Sequence, residues 1–201
     1  DSYGDQDGKA DTLTVSAEIL LEQGRLEEAE PFLRDADLLN EATKNAYDRV
    51  HTCAVYSAWF RRMGRFAEAQ ERAMVARQLA EKQTAASFHV LGQALEAYAR
   101  IEQGDVQGAT LLATTALGVE HLQGCEYGLE VRFFAATVLK KAGAPQADRA
   151  WESARAYAKE LADGIRNPRL RGLFRGRPTV VALLGTYTQD LSEEIVEPYV
   201  I

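Results

Sequence analysis

The residue types that most often carry chemistry are few and scattered in this sequence. Its three histidines, His51, His89 and His121, have no metal-ligand spacing and lie near no HExxH or Gly-x-Ser-x-Gly pattern. Its two cysteines, Cys53 and Cys125, form no CxxC or Cys/His ligand pattern, so two reduced thiols are expected. No Walker phosphate loop or GxGxxG pattern is present. The sequence therefore predicts no catalytic residue, no metal ion and no cofactor.

The charge balance of the chain is acidic. Asp and Glu total 30 against 23 Lys and Arg, which gives a net charge of -7 and a pI near 5.1. A general nucleic-acid binder normally needs a basic surface to displace counterions from phosphates. No apolar run approaches the ~20 residues that span a bilayer, and no signal-peptide pattern opens the chain. We expect a cytoplasmic protein that binds neither nucleic acid nor membrane directly.

One pattern recurs along four stretches of the sequence. These are "EQGRLEEAEPFLRDA", "RMGRFAEAQERAMVA", "EQGDVQGATLLATTA" and, more loosely, "KKAGAPQADRAWESA". Gly24, Gly64 and Gly104 are spaced by 40 residues, and Ala142 is the best equivalent in the fourth stretch, with Gly143 one place late. Small residues precede each anchor by seven positions and follow it by five and by twelve. They are Ala17, Ser57, Ala97 and Ala135, then Ala29, Ala69, Ala109 and Ala147, then Ala36, Ala76, Ala116 and Ala154.

These small residues predict helical hairpins. Antiparallel helices reach the short end of the usual ~8–10 Å separation only where the side chains at the crossing are small. A glycine ends the first helix of a hairpin because it adopts φ > 0 at little cost. Acidic residues such as Glu28 and Glu68 then lie near the N-terminus of the second helix, where the helix dipole favours them.

The pattern resembles the tetratricopeptide repeat family, which combines a small residue in the first helix, a Gly near the hairpin turn and two Ala in the second helix. The period of 40 residues, against the family's 34, implies longer helices, and a HEAT-like array is the alternative. The resemblance implies an all-α, right-handed superhelical solenoid of about four antiparallel hairpins, with residues 1–9 as a flexible segment. The hairpins are expected at 10–40, 45–82, 84–121 and 125–163.

The segment "ADGIRNPRLRGLFRGRPTVVALL" resembles the closing segment of long-helix repeat arrays in large bacterial signalling regulators, the transcription activators and STAND-type ATPases. Pro168 and Pro178 suit first-turn positions of two short helices. This resemblance implies a C-terminal capping helix pair over 164–186, followed by an acidic tail over 187–201. The apolar residues expected to cover the last hairpin are Leu170, Leu173, Phe174, Val181 and Leu184. The arginines of this segment are interpreted as solvent-facing, with binding of phosphate, nucleic acid or an acidic partner surface as the alternative.

A repeat array of this kind presents the first helices of its hairpins along a concave face, which typically receives an extended peptide or a partner helix. The family's groove positions, carried onto this sequence, give a mixed set of small, aromatic and charged residues. The candidate partner-binding residues are Glu18, Glu22, His51, Arg61, Arg62, Tyr98, Glu102, Arg132 and Lys140.

Two functions follow from this sequence. The first is a non-catalytic domain that binds protein or peptide, as a sensing or assembly module of a larger bacterial signalling or transcription regulator. The second is a stand-alone oligomeric scaffold or assembly factor that associates through its terminal repeats, because the face of Thr12 to Leu21 has no visible cap. An enzyme is disfavoured because no catalytic motif is present.

Overall fold

The computed structural model describes residues 3–118 and 124–185, and within those residues the chain forms ten α-helices and no strand. The predicted all-α class is therefore confirmed. The helices are α1 Tyr3–Glu22, α2 Leu26–Thr43, α3 Ala46–Arg62, α4 Phe66–Lys82, α5 Ala86–Glu102, α6 Val106–Leu117, α7 Gly128–Lys141, α8 Ala147–Gly164, α9 Pro168–Arg175 and α10 Pro178–Leu184. None of these helices combines the length and the apolar character needed to cross a bilayer.

The chain divides into two compact units, residues 1–154 and 155–201, with the boundary inside α8. In the first unit, α1 packs against α2, α3 against α4, and α5 against α6. The first helices of successive pairs also touch, since α1 contacts α3, α3 contacts α5, and α5 contacts α7. The alternating helices α1, α3, α5 and α7 therefore form a continuous layer, and this layer carries the candidate site.

The hairpin turns share one hydrogen-bonding pattern. In the first, the amide of Arg25 donates to the carbonyl of Leu20 at 2.9 Å, across Gly24 with φ 77°. The second and third turns repeat it across Gly64 and Gly104, with φ of 71° and 85°. A left-handed residue with this 6→1 bond is the Schellman ending of a helix, which satisfies otherwise unpaired carbonyls.

The fourth turn corrects the predicted register. Gly143, not Ala142, has the left-handed conformation, with φ 63°, and Ala144 donates to the carbonyl of Leu139 at 3.0 Å. Ala142 is still right-handed, with φ -75°. The physical reason is that the Cβ atom of an L-residue makes positive φ sterically unfavourable, whereas glycine has no Cβ. The anchor of the fourth repeat therefore lies one residue later than the sequence alignment placed it.

The small residues predicted at helix crossings are all buried, with exposures between 0% and 9%. At one crossing, Ser57 Oγ of α3 donates to the carbonyl of Ala69 in α4 at 2.8 Å. At another close approach, a Cβ added to Gly92 of α5 would lie 3.0 Å from the Cβ of Arg77 in α4. Helices α3, α4 and α5 therefore pack at short range, as the small side chains predict.

Two predictions at the chain ends differ from the structure or fall outside it. Residues 1–9 were expected to be flexible, yet α1 begins at Tyr3. The reason is that each glycine inside a helix costs only about 1 kcal/mol relative to alanine, so Gly4 and Gly8 do not end it. The predicted acidic tail at 187–201 lies outside the described residues, as does the end of the third predicted hairpin at 119–121.

The second unit contains the two short helices expected after the repeats. Proline occupies the first turn of both α9 and α10, and the side chain of Asn167 caps α9 by accepting from the amide of Leu170 at 3.0 Å. The prediction that Leu170 and Leu173 are covered is wrong, because they are 56% and 65% exposed. Val180 and Leu183 are buried instead; three residues apart, they share one side of α10.

Candidate functional site

The predicted site residues fall into two main groups on the layer of α1, α3, α5 and α7. We call the first the Arg61 patch, which consists of Arg61, Tyr98, Glu102, Phe134 and Lys141. We call the second the His51 patch, which consists of Asp11, Glu18, His51, Phe88 and Tyr127. Each patch combines ionisable and aromatic side chains from successive repeats, so neither exists in a single hairpin.

Arg61 is a largely buried cation that lies between two aromatic rings. Its guanidinium carbon is 5.2 Å from the ring centroid of Tyr98 in α5 and 4.8 Å from that of Phe134 in α7. The two rings meet edge to face at 5.8 Å. Burial lowers the pKa of Arg61, and the charge of Arg62 lowers it further, against the opposing effects of Tyr98 and Glu102. Removal from water therefore disfavours the charged form of Arg61 at this position.

One hydrogen-bond donor of the Arg61 guanidinium has no partner among the described residues. Its Nε atom is buried and makes no hydrogen bond, and no ion pair reaches its guanidinium from any residue that the structure describes. The nearest carboxylate partner in the patch, Glu102, forms an ion pair with Lys141 of α7 instead. A buried guanidinium has five N–H donors in a fork that fits a carboxylate. The Arg61 patch can therefore accept an anionic group from outside.

Lys141 completes this patch on the α7 side. Its Nζ atom is 5.1 Å from the ring centroid of Tyr98, in addition to the ion pair with Glu102. Burial lowers the pKa of Lys141, but the hydrogen bond to Glu102 and the neighbouring charges outweigh that effect and raise it overall. Lys141 is therefore a fully charged cation beside Arg61, and the patch is positive in spite of Glu102.

Arg62, the neighbour of Arg61, contacts α1. Its Nη1 atom donates to the backbone carbonyl of Leu21 near the end of α1. A basic side chain on a carbonyl in the last turn of a helix is favourable both as a hydrogen bond and through the helix dipole. Arg62 therefore ties α3 to α1 and contributes to the packing of the first two repeats.

The His51 patch surrounds a buried imidazole with carboxylates. His51 is 9% exposed, its Nδ1 atom lies 3.5 Å from Asp11 Oδ1, and its Nε2 atom lies 3.5 Å from Glu18 Oε2. Burial lowers the pKa of His51, but Glu18 and Asp11 outweigh burial and raise it above its ordinary value. Both carboxylates are on α1, seven residues apart and therefore on one face of the helix.

Aromatic rings form the rest of the His51 patch. The ring of Phe88 lies 5.5 Å from that of His51 and 5.0 Å from that of Tyr127, and His51 and Tyr127 are 6.3 Å apart. Burial raises the pKa of Tyr127, and four carboxylates raise it further. These carboxylates are those of Glu18, Glu126, Glu130 and Asp11. The patch is therefore aromatic and strongly negative, the opposite of the Arg61 patch in sign.

Besides Arg62, three predicted residues lie outside these patches. Lys140 places its Nζ atom 4.2 Å above the ring of Trp151 in α8. Arg132 lines a separate cavity of about 320 Å³, formed by residues of α6, α7 and the start of α8 that include Thr114, Arg149 and Ser153. Glu22 is half-buried in the last turn of α1. Of the nine predicted residues, the structure therefore brings Arg61, Tyr98 and Glu102 together, and separately Glu18 and His51.

Several members of the patches were not predicted from the sequence. Lys141 was missed because the fourth repeat was aligned on Ala142. Counted from Gly143, Lys141 occupies the position two before the anchor, which Arg62 and Glu102 hold in the second and third repeats. Asp11 could have been found as the residue two helical turns before Glu18. Phe88 and Tyr127 carry no such signal, since apolar and aromatic residues are common in the core of any helical protein.

The described residues offer no metal centre, because no group of three or more His, Cys, Asp or Glu among them could hold an ion. Both cysteines are free thiols, and burial raises the pKa of Cys53.

Comparisons of the chain with protein-family models, curated proteins and solved structures gave no match. The functional argument therefore rests on the geometry of the two patches.

Proposed function

We propose that this chain is a non-catalytic helical-repeat domain of the tetratricopeptide type, which binds a protein or peptide on the face formed by α1, α3, α5 and α7. Four similar turns, twelve buried small residues and contacts between successive first helices support a right-handed superhelical array. The site lies on the first helices, where such arrays bind extended peptides.

The observation that carries this proposal is the buried cation Arg61. A guanidinium held between Tyr98 and Phe134 without an ion pair among the described residues costs desolvation energy with little return to the fold. A carboxylate supplied by a partner offsets this desolvation energy, since a charge-assisted hydrogen bond away from water is among the stronger polar contacts. Arg61 is therefore the proposed anchor for an acidic group of the partner.

The biological setting that we propose is a larger bacterial signalling or transcription regulator in the cytoplasm, with this chain as its sensing or assembly module. The short proline-initiated helices α9 and α10 support it, because they match the segment that resembles the closing part of such arrays. The acidic net charge of -7 argues against direct nucleic-acid binding.

A capture experiment with matched variants tests the proposal. The native protein, Arg61→Met and Arg34→Met are immobilised at equal density and exposed to a bacterial lysate, and the bound proteins are compared by mass spectrometry. Arg34 is an exposed arginine of α2, with 63% of its side chain accessible, so its variant loses the same charge outside both patches. The expected result is a set of proteins retained by the native protein and Arg34→Met and lost from Arg61→Met.

Equal capture by all three proteins would contradict the role of Arg61 in the groove. Circular dichroism spectra and urea unfolding of each variant establish that loss of capture does not come from loss of fold. Failure of the native protein to retain any protein above beads alone would argue against a protein-binding module altogether.

A second function, an oligomeric scaffold, is favoured by the outer surface of the first hairpin. Val15 and Ile19, one turn apart on α1, are 39% and 52% exposed, and Leu38 of α2 is 59% exposed. Apolar residues at this spacing form a stripe that a second molecule can cover. Light scattering decides this alternative, since a mass that stays at one monomer over a wide concentration range contradicts it, whereas a concentration-dependent mass that Ile19→Glu abolishes supports it.

A further inference from the structure

The binding face has two ends of opposite charge. The His51 patch lies at the side where α3 begins, and the Arg61 patch lies at the side where α3 ends. The first contains the carboxylates of Asp11 and Glu18, while the second contains Arg61 and Lys141. The separation of charge therefore runs along the helices of the layer, and a partner that covers both patches meets two different chemistries.

The His51 patch is built to hold a cation. Its carboxylates remain open to solvent, with 54% of the Asp11 side chain and 39% of the Glu18 side chain exposed. Between them lies His51, whose side chain is 11% exposed and whose Nε2 atom is 3.5 Å from Glu18 Oε2. The faces of aromatic rings attract cations, and here Phe88 and Tyr127 lie beside the carboxylates. A lysine or arginine side chain therefore matches this patch in charge and in its apolar stem.

The distance between the patches sets the spacing of the ligand groups. His51 and Arg61 are ten residues apart on α3, which corresponds to about 15 Å at the rise of an α-helix. An extended peptide advances about 3.3 Å per residue, so two of its side chains separated by four or five residues span this distance.

The aromatic rings of the His51 patch form one packed cluster. Side chains from α3, from α5 and from the residue before α7 meet in the His51 patch, with ring centroids of His51, Phe88 and Tyr127 only 5.0–6.3 Å apart. We take the ligand to be extended because helical-repeat arrays typically bind an extended peptide along their first helices.

We propose that the partner segment is an extended peptide with one basic and one acidic side chain four or five residues apart, the basic one bound in the His51 patch and the acidic one at Arg61. This inference rests on the proposed peptide-binding function and specifies its ligand. The reason is electrostatic complementarity, because a peptide of uniform charge gains at one patch and is repelled at the other.

Selection from a peptide library tests this pairing. A phage library of random 12-residue peptides is selected on the immobilised native protein, on Arg61→Met and on the double variant Asp11→Asn/Glu18→Gln. The native protein is expected to enrich peptides with opposite charges four or five positions apart. Arg61→Met is expected to lose the preference for the acidic residue alone, and the double variant the preference for the basic residue alone.

The affinities of the selected peptides provide a second readout with matched controls. For one synthetic peptide from the selection, each variant is expected to weaken binding about tenfold or more, as loss of a charge-assisted contact does. The controls are Arg34→Met and Asp35→Asn, which remove single charges from an exposed ion pair of α2. They are expected to bind the peptide like the native protein.

The outcomes separate this inference from the function on which it rests. Enriched peptides without an opposite-charge pair, or with the pair ten or eleven residues apart as in a helix, would overturn the inference and leave peptide binding intact. If no peptide is enriched on the native protein above uncoated beads, both the inference and the peptide-binding function are contradicted.

Discussion

Two charged side chains, Glu96 on α5 and Arg61 packed against α5, differ in how the fold pairs them. Glu96 is 0% exposed and accepts hydrogen bonds from Arg77 Nε at 3.0 Å and from Arg100 Nε and Nη2 at 3.0 and 2.7 Å. Arg61 lies on the other side of α5 against Tyr98, with no carboxylate paired to it in the described part of the chain. Glu96 of α5 is therefore a satisfied charge, whereas Arg61 of α3, which packs against the same helix, has no ionic partner among the described residues.

This difference separates a structural role from a binding role. Glu96 joins α4 to α5 through Arg77. Its ion pairs with Arg77 and Arg100 offset the free-energy cost of burying its charge. For Arg61, contact with the rings of Tyr98 and Phe134 offsets only part of the free-energy cost of removing the guanidinium from water, since a cation–π contact is worth about 0.5–2 kcal/mol. We expect Glu96 to matter for stability and Arg61 to matter for binding, and four predictions test this division.

The largest expected effect is on stability, at Glu96. Glu96→Ala leaves Arg77 and Arg100 without their shared carboxylate, and we expect a loss of about 3 kcal/mol in the free energy of unfolding. The measurement is urea denaturation followed by circular dichroism. Glu71→Ala, which removes an exposed carboxylate from α4, is the control and is expected to unfold at the native urea concentration. A loss below about 1 kcal/mol for Glu96→Ala would show that the pair is not structural.

The second prediction concerns Arg61 itself. Arg61→Met removes a desolvated cation and keeps apolar contact with the two rings, so the free energy of unfolding should change by less than about 1 kcal/mol in either direction. Binding of a selected peptide should weaken about tenfold or more in the same variant. A destabilisation as large as that of Glu96→Ala would contradict the comparison, because Arg61 would then be a structural residue.

The third prediction uses the pH dependence of His51. Its pKa is raised in the folded protein, so its stabilising contribution is complete below its ordinary pKa near 6.5 and is lost as the pH rises through the folded value. The stability difference between the native protein and His51→Gln should therefore shrink from pH 6 to pH 9. Urea midpoints at four pH values measure it. A difference that grows with pH would reverse the sign expected from Asp11 and Glu18.

The smallest effect is expected at an exposed ion pair. Arg65 and Glu68 are joined at 2.7 Å on the surface of α4, with 47% and 41% of their side chains accessible. Water screens such a pair, so Glu68→Gln should lower the free energy of unfolding by less than about 1 kcal/mol, including the loss of its interaction with the helix dipole, and should leave peptide affinity unchanged. A clear loss of stability would mean that exposed pairs matter here as buried ones do, and would weaken the contrast between Glu96 and Arg61.

The helical hairpins were predictable because glycines and alanines with a fixed spacing report local backbone geometry and close packing. The predicted turns lie at Gly24, Gly64 and Gly104. In the fourth repeat, alignment of the small residues places the turn at Ala142, one residue before Gly143, because that alignment ignores the positive φ that the turn requires. Because of this shift of one residue, the predicted groove position fell on Lys140 instead of Lys141. Side-chain partners were harder to predict, since whether Glu102 pairs with Arg61 or with Lys141 depends on distances between repeats that no local pattern records.

The site was predictable only in part for the same reason. Arg61, Tyr98 and Glu102 were found because they occupy groove positions that the family resemblance implies, counted back from Gly64 and Gly104. The ring of Tyr127 was not found, because it lies in the turn before α7 and reaches His51 only once α3, α5 and α7 are stacked. Repeat position therefore indicates which face a residue occupies, whereas the packing between repeats decides which side chains meet.

The most direct test of the account is a double-mutant cycle between Arg61 and the acidic residue of a selected peptide. Fluorescence anisotropy gives the affinity of the native protein and Arg61→Met for the peptide and for its variant with that acidic residue changed to the amide. If Arg61 binds the carboxylate, the peptide change should weaken binding about tenfold with the native protein and much less with Arg61→Met, in which Lys141 is the remaining cation of the patch. Equal losses with both proteins would show that the two groups do not interact and would contradict the account.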